Sequence, residues 1–460
     1  MPCCLEAPAP ALPRLRYAAE ELLAGLGLRP AWTSPGEVGE GIYAGPDPEG
    51  RLASGALAPA ALRLRLSEAG LAAVRAPGPV APHNTAWLAH EGACAPLPFA
   101  SGTAAADPAR TVEADVLASA FWWLARAQET AGPRDRHGRF PFAASLQAAL
   151  GTALVPSVDV MRAWLGAALR ARGAPVRPRT WAGAPWMVAL THDVDFVRSC
   201  RLRAALGALR REGPRAGAAR LLRPGDPRAE SLAALERLAR RLGTQATFFV
   251  KAGASAPEDV PYRLRPLRPW LQRLAAEGFG IGLHPSYRAP LEPARLAAER
   301  DRLARALGRA PALARAHFLR WQDPVTPEAL VAAGFAADAT LGFAEHEGFR
   351  CGTAHPFRAY DFAADAPRAL TAWPLAVMDT TLFGYRALGD AAAARALGAV
   401  LDAARRAGGC AVVLWHNDAG DAPPARWARR LALLEAALGE ARATGAHLGP
   451  LPEVRWPALS

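Results

Sequence analysis

From residue 187 onward the chain alternates short apolar runs with helical stretches rich in Ala, Leu and Arg. Five of the runs end in a polar, chemically capable cluster: MVALTHDVD (187–195), QATFFVKAG (245–253), FGIGLHPSY (279–287), RAHFLRW (315–321) and AVVLWHND (411–418). Strands that alternate with helices build parallel β/α units. In a parallel barrel the C-terminal ends of all strands meet on one face, where such folds carry their chemistry. The pattern therefore brings Asp193, Asp195, His284, His317 and His416 to one mouth. GFAADATLGF (334–343) and LTAWPLAVMDTT (370–381) read as two further strands. Seven strands predict an α/β fold whose barrel is distorted or incomplete, a (β/α)7 arrangement rather than a regular eightfold one.

A chain of 460 residues is long enough for two or three domains and for a large core. With 51% hydrophobic and 21% charged residues it reads as globular, and no stretch approaches the roughly 20 uninterrupted apolar residues of a membrane span. Residues 1–180 carry no comparable strand-end chemistry. They hold helical patterns at VEADVLASAFWWLARAQET (112–130), with apolar residues at helical spacing, and at SVDVMRAWLGAALRA (157–171). Trp122 and Trp123 read as core, and His137 in RDRHGRFPF (134–142) as a surface or interdomain residue. The Pro- and Gly-dense GAPVRPRTWAGAPW (173–186) reads as a linker. The expected organisation is a smaller α+β N-terminal domain over 1–180 followed by the barrel over 181–460.

The opening MPCCLEAPAPALPRLRYAAE lacks the basic-then-apolar order of a secretory signal, so a cytoplasmic location is expected. Six scattered cysteines suggest neither a disulfide frame nor a zinc knuckle, and Cys3-Cys4 reads as an untethered N-terminus rather than a lipid anchor.

The net charge of +12 favours anionic partners. Because Lys251 is the only lysine among 54 basic residues, the Arg and Ala richness looks like compositional bias, and nucleic acid is not an expected partner. The charge is nonetheless uneven: residues 198–242 hold twelve Arg against four acids. That basic surface beside the mouth is either a solvated face or a contact for phosphate or an anionic membrane surface.

In THDVD the strand period of two puts Asp193 and Asp195 on one face and His192 and Val194 on the other. Two carboxylates so placed repel unless a cation or proton sits between them. The alternative is that Asp193 caps the next helix and Asp195 pairs with an arginine. His284 leaves its Gly-flanked strand just before Pro285, in a tight turn. Carboxylate plus imidazole is a ligand mix that suits zinc or another divalent transition metal.

The order THDVD, ATFFV, EGFGIGLHPSY, RAHFLRW, VVLWHN resembles the polysaccharide deacetylases, the NodB-homology carbohydrate esterases. ATLGFAEHEGFRCGTAHPF (339–357) and PLAVMDTTL (374–382) resemble the branch of that family found in surface-polysaccharide clusters. The resemblance covers 187 to about 440, and SAFWWLARAQET, DRHGRFPF and PSVD are similar to the domain of unknown function that precedes the barrel in that branch. The resemblance implies a NodB-type barrel and a metal-dependent hydrolase that removes an N-acetyl group from a sugar, with a divalent cation such as Zn2+. It implies Asp193 as catalytic base, Asp195 and His284 as metal ligands, Arg315 as the residue orienting the base and His416 as proton donor to the leaving group. One departure stands out: where the family has a second histidine four residues after the first, this chain has Arg288. A third ligand from His317 or His355, a weakly held metal, and a site that has lost catalysis all remain open. Trp321, Trp415 and Tyr287 are candidates either to stack on sugar rings or to pack in the core, Asp338 and Asp379 to bond substrate or cap helices, and the loop with His346, Arg350 and His355 to cover the mouth. His447 is expected to have no catalytic part. The implied substrate is a carbohydrate, nucleotide- or lipid-linked. Two alternatives are a catalytically silent carbohydrate-binding or assembly protein and a hydrolase of a non-sugar carbon-nitrogen bond.

Overall fold

A computed structural model describes residues 1–99, 115–197, 201–222, 226–417 and 424–453. Asp418, the last residue of the fifth run, lies outside them, as do parts of the 112–130 and 198–242 segments. Near the N-terminus four short parallel strands pack in the order β2-β1-β3-β4: β1 at Pro2–Leu5, β2 at Ala31–Trp32, β3 at Ile42–Gly45 and β4 at Leu62–Arg65. The helix Leu12–Ala24 crosses from β1 to β2 with Leu15, Ala18, Leu22 and Leu23 buried at the three-four spacing of an amphipathic face. An antiparallel hairpin follows, β5 (Ala86–His90) and β6 (Ala93–Leu97). Its two-residue turn, Glu91-Gly92, has φ of 47° and 78°, the positive pair that a type I′ turn requires.

The helix expected over 112–130 spans Val116–Leu124, and every one of its residues is buried rather than one face only. A helix apolar all round belongs in an interior, and this one lies between its own domain and the barrel. Phe121 meets Tyr360 edge-on at 5.1 Å, Trp122 donates its indole N–H to the Gly78 carbonyl at 2.8 Å and Trp123 donates to Pro96 at 3.3 Å. Buried charge also crosses the junction. Arg350 donates to both oxygens of Glu129 at 2.9 and 2.6 Å, and Asp159 accepts from Thr353 Oγ1, the Ala354 amide and His355 Nδ1 at 2.7, 2.7 and 3.2 Å.

The second sheet contains β7 (Trp186–Val194), β8 (Thr247–Val250), β9 (Gly280–Leu283), β10 (Leu313–Ala314), β11 (Ala337–Asp338), β12 (Phe357–Asp361), β13 (Ala366–Ala372), β14 (Leu375–Met378), β15 (Cys410–Leu414) and β16 (Ala446–Gly449). Its order is β12-β13-β11-β10-β9-β8-β7-β15-β14, and every pairing is parallel except β12 with β13. One continuous segment supplies both β13, bonded to β11, and β14, bonded to β15, so the sheet curls back on itself through seven positions. β16 pairs with the first half of β7, at Trp186–Ala189, while β8 takes the second half from Thr191. That insertion is one source of the barrel's distortion. The architecture is thus an α/β fold, a distorted (β/α)7 barrel preceded by an N-terminal domain.

Strand alternation divides the apolar residues into two cores. Met187, Ala189, Phe249, Leu313, Val412 and Leu414 pack inside the barrel. Their neighbours Val188, Leu190, Phe248, Val250, Ala411 and Val413 pack outside, beneath the helices. Gly282 leaves room for this interior, because a Cβ there would stand 2.6 Å from the Phe249 ring. The RAHFLRW run departs from expectation: the strand ends at Ala314, and His317–Leu319 form a short turn in which Phe318 and Leu319 have φ of 59° and 54°. The left-handed backbone ends strand pairing there and turns the chain across the mouth.

Candidate metal centre

The interior parity of each strand decides which side chain enters the mouth. Continuing 187 and 189 upward gives Thr191, Asp193 and Asp195; continuing 249 gives Lys251; continuing 282 gives His284; continuing 313 gives Arg315 and continuing 412 and 414 gives His416. His192 and Val194, of opposite parity, are fully buried outside. The His192 ring lies against Phe248 with its Nδ1 2.8 Å from the Trp415 carbonyl, and burial takes its pKa down to about 4.

Asp195, His284 and His317 form a cluster whose ligand atoms all lie within 4.8 Å of one another. Asp195 Oδ1 is 3.4 Å from His284 Nε2 and 3.4 Å from His317 Nε2. Four ligands at zinc bond lengths stand about 3.3 to 3.5 Å apart on a tetrahedron's edges. Both imidazoles are held through their other nitrogen: His284 Nδ1 is 2.6 Å from the Arg315 carbonyl, and His317 Nδ1 is 3.0 Å from Asp259 Oδ1. Acceptors on Nδ1 fix the proton there and leave the Nε2 lone pairs aimed at the common centre, the arrangement that orients histidine ligands. Burial lowers the His317 pKa, keeping that ring neutral, while Asp259 and Asp195 oppose the shift. For Asp195, burial raises the pKa, but the imidazoles of His284, His317 and His416 outweigh it and hold the group well below the usual carboxylate range. Asp195 Oδ1 and His284 Nε2 are buried without a hydrogen-bond partner. Such atoms cost free energy unless something binds them, and a divalent cation fits this donor set.

Asp193 sits beside the cluster, its Oδ2 3.8 Å from His284 Nε2 and its Oδ1 3.1 Å from Arg315 Nη1. Arg315 is fully buried and is fixed by three donations, to Asp193, to Thr191 Oγ1 at 2.8 Å and to the Ala339 carbonyl at 2.9 Å, with its plane 4.4 Å from the Phe249 ring. His416 faces the cluster, its Nε2 4.0 Å from Asp195 Oδ2. Its Nδ1 is 2.6 Å from Asp379 Oδ1, and its amide donates to Asp379 Oδ2 at 3.0 Å. Burial lowers the His416 pKa, but Asp379 above all, then Asp195 and Asp193, overcome this and raise it to about 10. The ring is therefore an imidazolium near neutral pH.

Two groups here escaped the sequence reading. Asp259 accepts from His317 and from the Ser255, Ala256 and Tyr287 amides, within a loop that carries no recognisable pattern. Lys251, the sole lysine, is almost fully buried with its Nζ 3.9 Å from Asp195 Oδ1 and 5.7 Å from each of the Phe196 and Tyr262 ring centroids. A lysine at the inward parity directly after FFV was the available signal. Burial lowers its pKa, with Asp195 opposing.

A cavity of about 340 Å³ opens above the cluster, with Phe318, Phe383, Tyr385 and Asp379 in its walls. Phe383 and Tyr385 come from a single wide turn, Thr381–Tyr385, just beyond β14. The N-terminal domain reaches the same wall: Arg139, held by Asp135 at 2.7 Å, lies 3.3 Å from the Tyr385 hydroxyl. Trp321, Trp415 and Tyr287 are not part of the wall. Both tryptophans are buried, and Tyr287 lies 3.0 Å from His137, whose ring packs 4.6 Å from that of Phe318 between the two domains. His355 and Arg350 are bound to Asp159 and Glu129, and His346 stacks on Phe142 at 4.2 Å, so that loop clamps the domains together instead of covering the mouth. His355 is thereby removed as a third ligand. Asp338 is buried and accepts from Thr340, and the exposed Arg288 lies outside the cavity wall.

A family model described as a family of unknown function, DUF7033, matches residues 76–174. No curated protein matches the chain. Among solved structures the chain is similar to a protein from Mycobacterium smegmatis named as a polysaccharide deacetylase, at 21% identity and a TM-score of 0.40, over 59% of this chain and 88% of that one. The polysaccharide deacetylase Bc1974 from Bacillus cereus aligns at 16% identity and a TM-score of 0.32, over 59% and 97% of the two chains. Puue allantoinase aligns at 13% identity and a TM-score of 0.40, over 62% and 92%.

Proposed function

We propose that this protein is a metal-dependent hydrolase that removes an N-acetyl or related acyl group from a sugar, acting in the cytoplasm during assembly of a surface polysaccharide. The observation that carries the reading is the convergence of Asp195 Oδ1, His284 Nε2 and His317 Nε2 on one point, with Asp193 on one side and the protonated His416 on the other. A divalent cation held by these three residues would supply a lowered pKa for water and a polarised acyl oxygen. Arg315 holds one oxygen of Asp193 and aims the carboxylate, so that its other oxygen takes the proton of the attacking water. His416, charged through its bond to Asp379, gives its Nε2 proton to the departing amine, after which it is the neutral base that resets the cycle. The aromatic walls of Phe318, Phe383 and Tyr385 suit the apolar face of a sugar ring.

The same reading brings the protein to an anionic membrane surface. Residues 201–222 carry six Arg against one Glu and form two helices, Arg201–Glu212 and Pro214–Leu222, inserted between the mouth end of β7 and the next barrel helix. Leu206, Leu209, Leu221 and Leu222 stand 45, 46, 46 and 82% exposed there. Basic helices with bare leucines suit a lipid headgroup layer, and a lipid-linked sugar would be presented beside the mouth.

Arg288, standing where the resembling family has its second histidine, supports a second reading: a catalytically silent carbohydrate-binding or assembly protein. A hydrolase of a non-sugar carbon-nitrogen bond is the third. Acetate release by metal-loaded protein from N-acetylglucosamine derivatives, with Asp193→Asn as the control, separates them. Sugar binding without acetate release replaces the first reading by the second, and hydrolysis of non-sugar amides but of no acetamido sugar replaces it by the third.

A further inference from the structure

The helix Pro424–Ala443 places Arg430 in the wall of the cavity above the metal cluster. Its guanidinium carbon stands 4.0 Å from the centroid of the Phe383 ring, and its Nε is buried without a hydrogen-bond partner. Among the described residues no carboxylate lies within ion-pair distance of it. Three other arginines near this end of the molecule each have a carboxylate partner: Arg139 has Asp135, Arg315 has Asp193 and, on the same helix, Arg429 has Asp390 at 3.2 Å. A buried guanidinium N–H with no acceptor calls for an explanation. A guanidinium resting on a ring face keeps its N–H edge free, and that edge matches two oxygens of a phosphate or carboxylate.

We propose that Arg430, stacked on Phe383, is the subsite for an oxyanion carried by the substrate, so that the sugar presented to Asp193 and His416 bears a phosphate or carboxylate. The proposal rests on the hydrolase reading for the use of the site and on Arg430 itself for the charge. It adds a second guanidinium, beside that of Arg139, to a wall that faces the carboxylates Asp193, Asp195 and Asp379.

The test compares wild type, Arg430→Met and Arg430→Lys on N-acetylglucosamine, its 1-phosphate and 2-acetamido-2-deoxyglucuronic acid. The expected result is a kcat/KM for one of the two anionic sugars about ten- to a hundredfold above that for the neutral one, the range of a charged hydrogen bond. Arg430→Met brings the ratio toward one, and Arg430→Lys, which keeps charge but loses the fork, falls between. The two anionic arms tell phosphate from carboxylate. Equal kcat/KM for all three sugars, or a ratio that Arg430→Met leaves unchanged, overturns the subsite and leaves the hydrolase reading standing. If none of the three releases acetate, the hydrolase reading fails, and calorimetric binding of the same sugars decides the subsite alone. Tenfold or greater weakening of an anionic sugar by Arg430→Met upholds it, and equal affinity overturns it.

Discussion

His317 is gripped from behind by Asp259, Nδ1 to Oδ1 at 3.0 Å, while its Nε2 stands 3.4 Å from Asp195 on the other side. A carboxylate in that position fixes the tautomer and raises the basicity of the ligating nitrogen. His317→Ala is expected to strip the divalent ion to substoichiometric levels, and Asp259→Asn to weaken it by about 10- to 100-fold, both read by chelator competition. Arg288→His adds an imidazole on an exposed site outside the cavity and should leave affinity unchanged. Tighter metal in Arg288→His would move the third ligand away from His317.

Asp193→Asn should lower turnover by about 10²- to 10⁴-fold, the usual contribution of a general base, while the metal content stays at the wild-type value. The three ligand atoms belong to other residues, and the amide preserves the size that Arg315 packs against. Single-turnover acetate release together with metal analysis of the same sample checks both halves. Full activity in the variant would remove Asp193 from the chemistry.

The pH dependence follows from His416. Its pKa is raised to about 10, so the donor form is present throughout the neutral range and is lost only as pH climbs through that value. Asp379 is the largest of the raising influences. Asp379→Asn should therefore draw the descending limb of the pH profile of kcat down toward the ordinary imidazole value of about 6.5. Alkaline limbs that coincide in the two proteins would assign the proton donor elsewhere.

Much of this was legible because strand alternation carries information all the way to the strand end. The inward parity set by Met187 and Ala189 continues to Asp193 and Asp195, and that set by Val412 and Leu414 reaches His416. What escaped is held by contacts between residues far apart in the chain. Asp259 lies 58 residues from His317, in a loop with no period to read. Arg350 and His355 looked available for a lid because Glu129 and Asp159, which bury them, come from the other domain. For Trp321 and Trp415 the choice between sugar platform and core packing stayed open, because a motif fixes where a residue falls in sequence, not which face of the strand or turn it occupies, and both proved to be buried.

The interdomain ion pair makes the stability of the whole chain depend on both halves. Arg350 and Glu129 are each almost fully buried, and removing one partner leaves the other charge without compensation, a loss of about 3 to 5 kcal/mol. Glu129→Gln should lower the urea midpoint accordingly, and Glu129→Leu with Arg350→Met should recover part of the loss, since apolar replacement of a buried pair is often neutral or better. Removing residues 1–180 exposes the barrel surface that Phe121 covers and strands Arg350 and His355, so the remainder is expected to be insoluble. A soluble 181–460 fragment with a cooperative melt would contradict this account of the junction.

Lys251 sets a final expectation, about how firmly the cation is held. Its ammonium lies 3.9 Å from Asp195 Oδ1, the same oxygen that both imidazoles face. A fixed positive charge there competes for the carboxylate and repels a divalent ion arriving at the cluster, an interaction that the low-dielectric surroundings weaken less than water would. Lys251→Met keeps the length of the side chain and its packing against Phe196 and Tyr262 while deleting the charge. Divalent affinity should then rise by about tenfold, or roughly 1.4 kcal/mol, measured by the same chelator competition. Lys251→Arg, retaining the charge, should bind as wild type does. A loss of metal in Lys251→Met would mean instead that the ammonium holds Asp195 in its ligating orientation, and competition would be the wrong account of the pair.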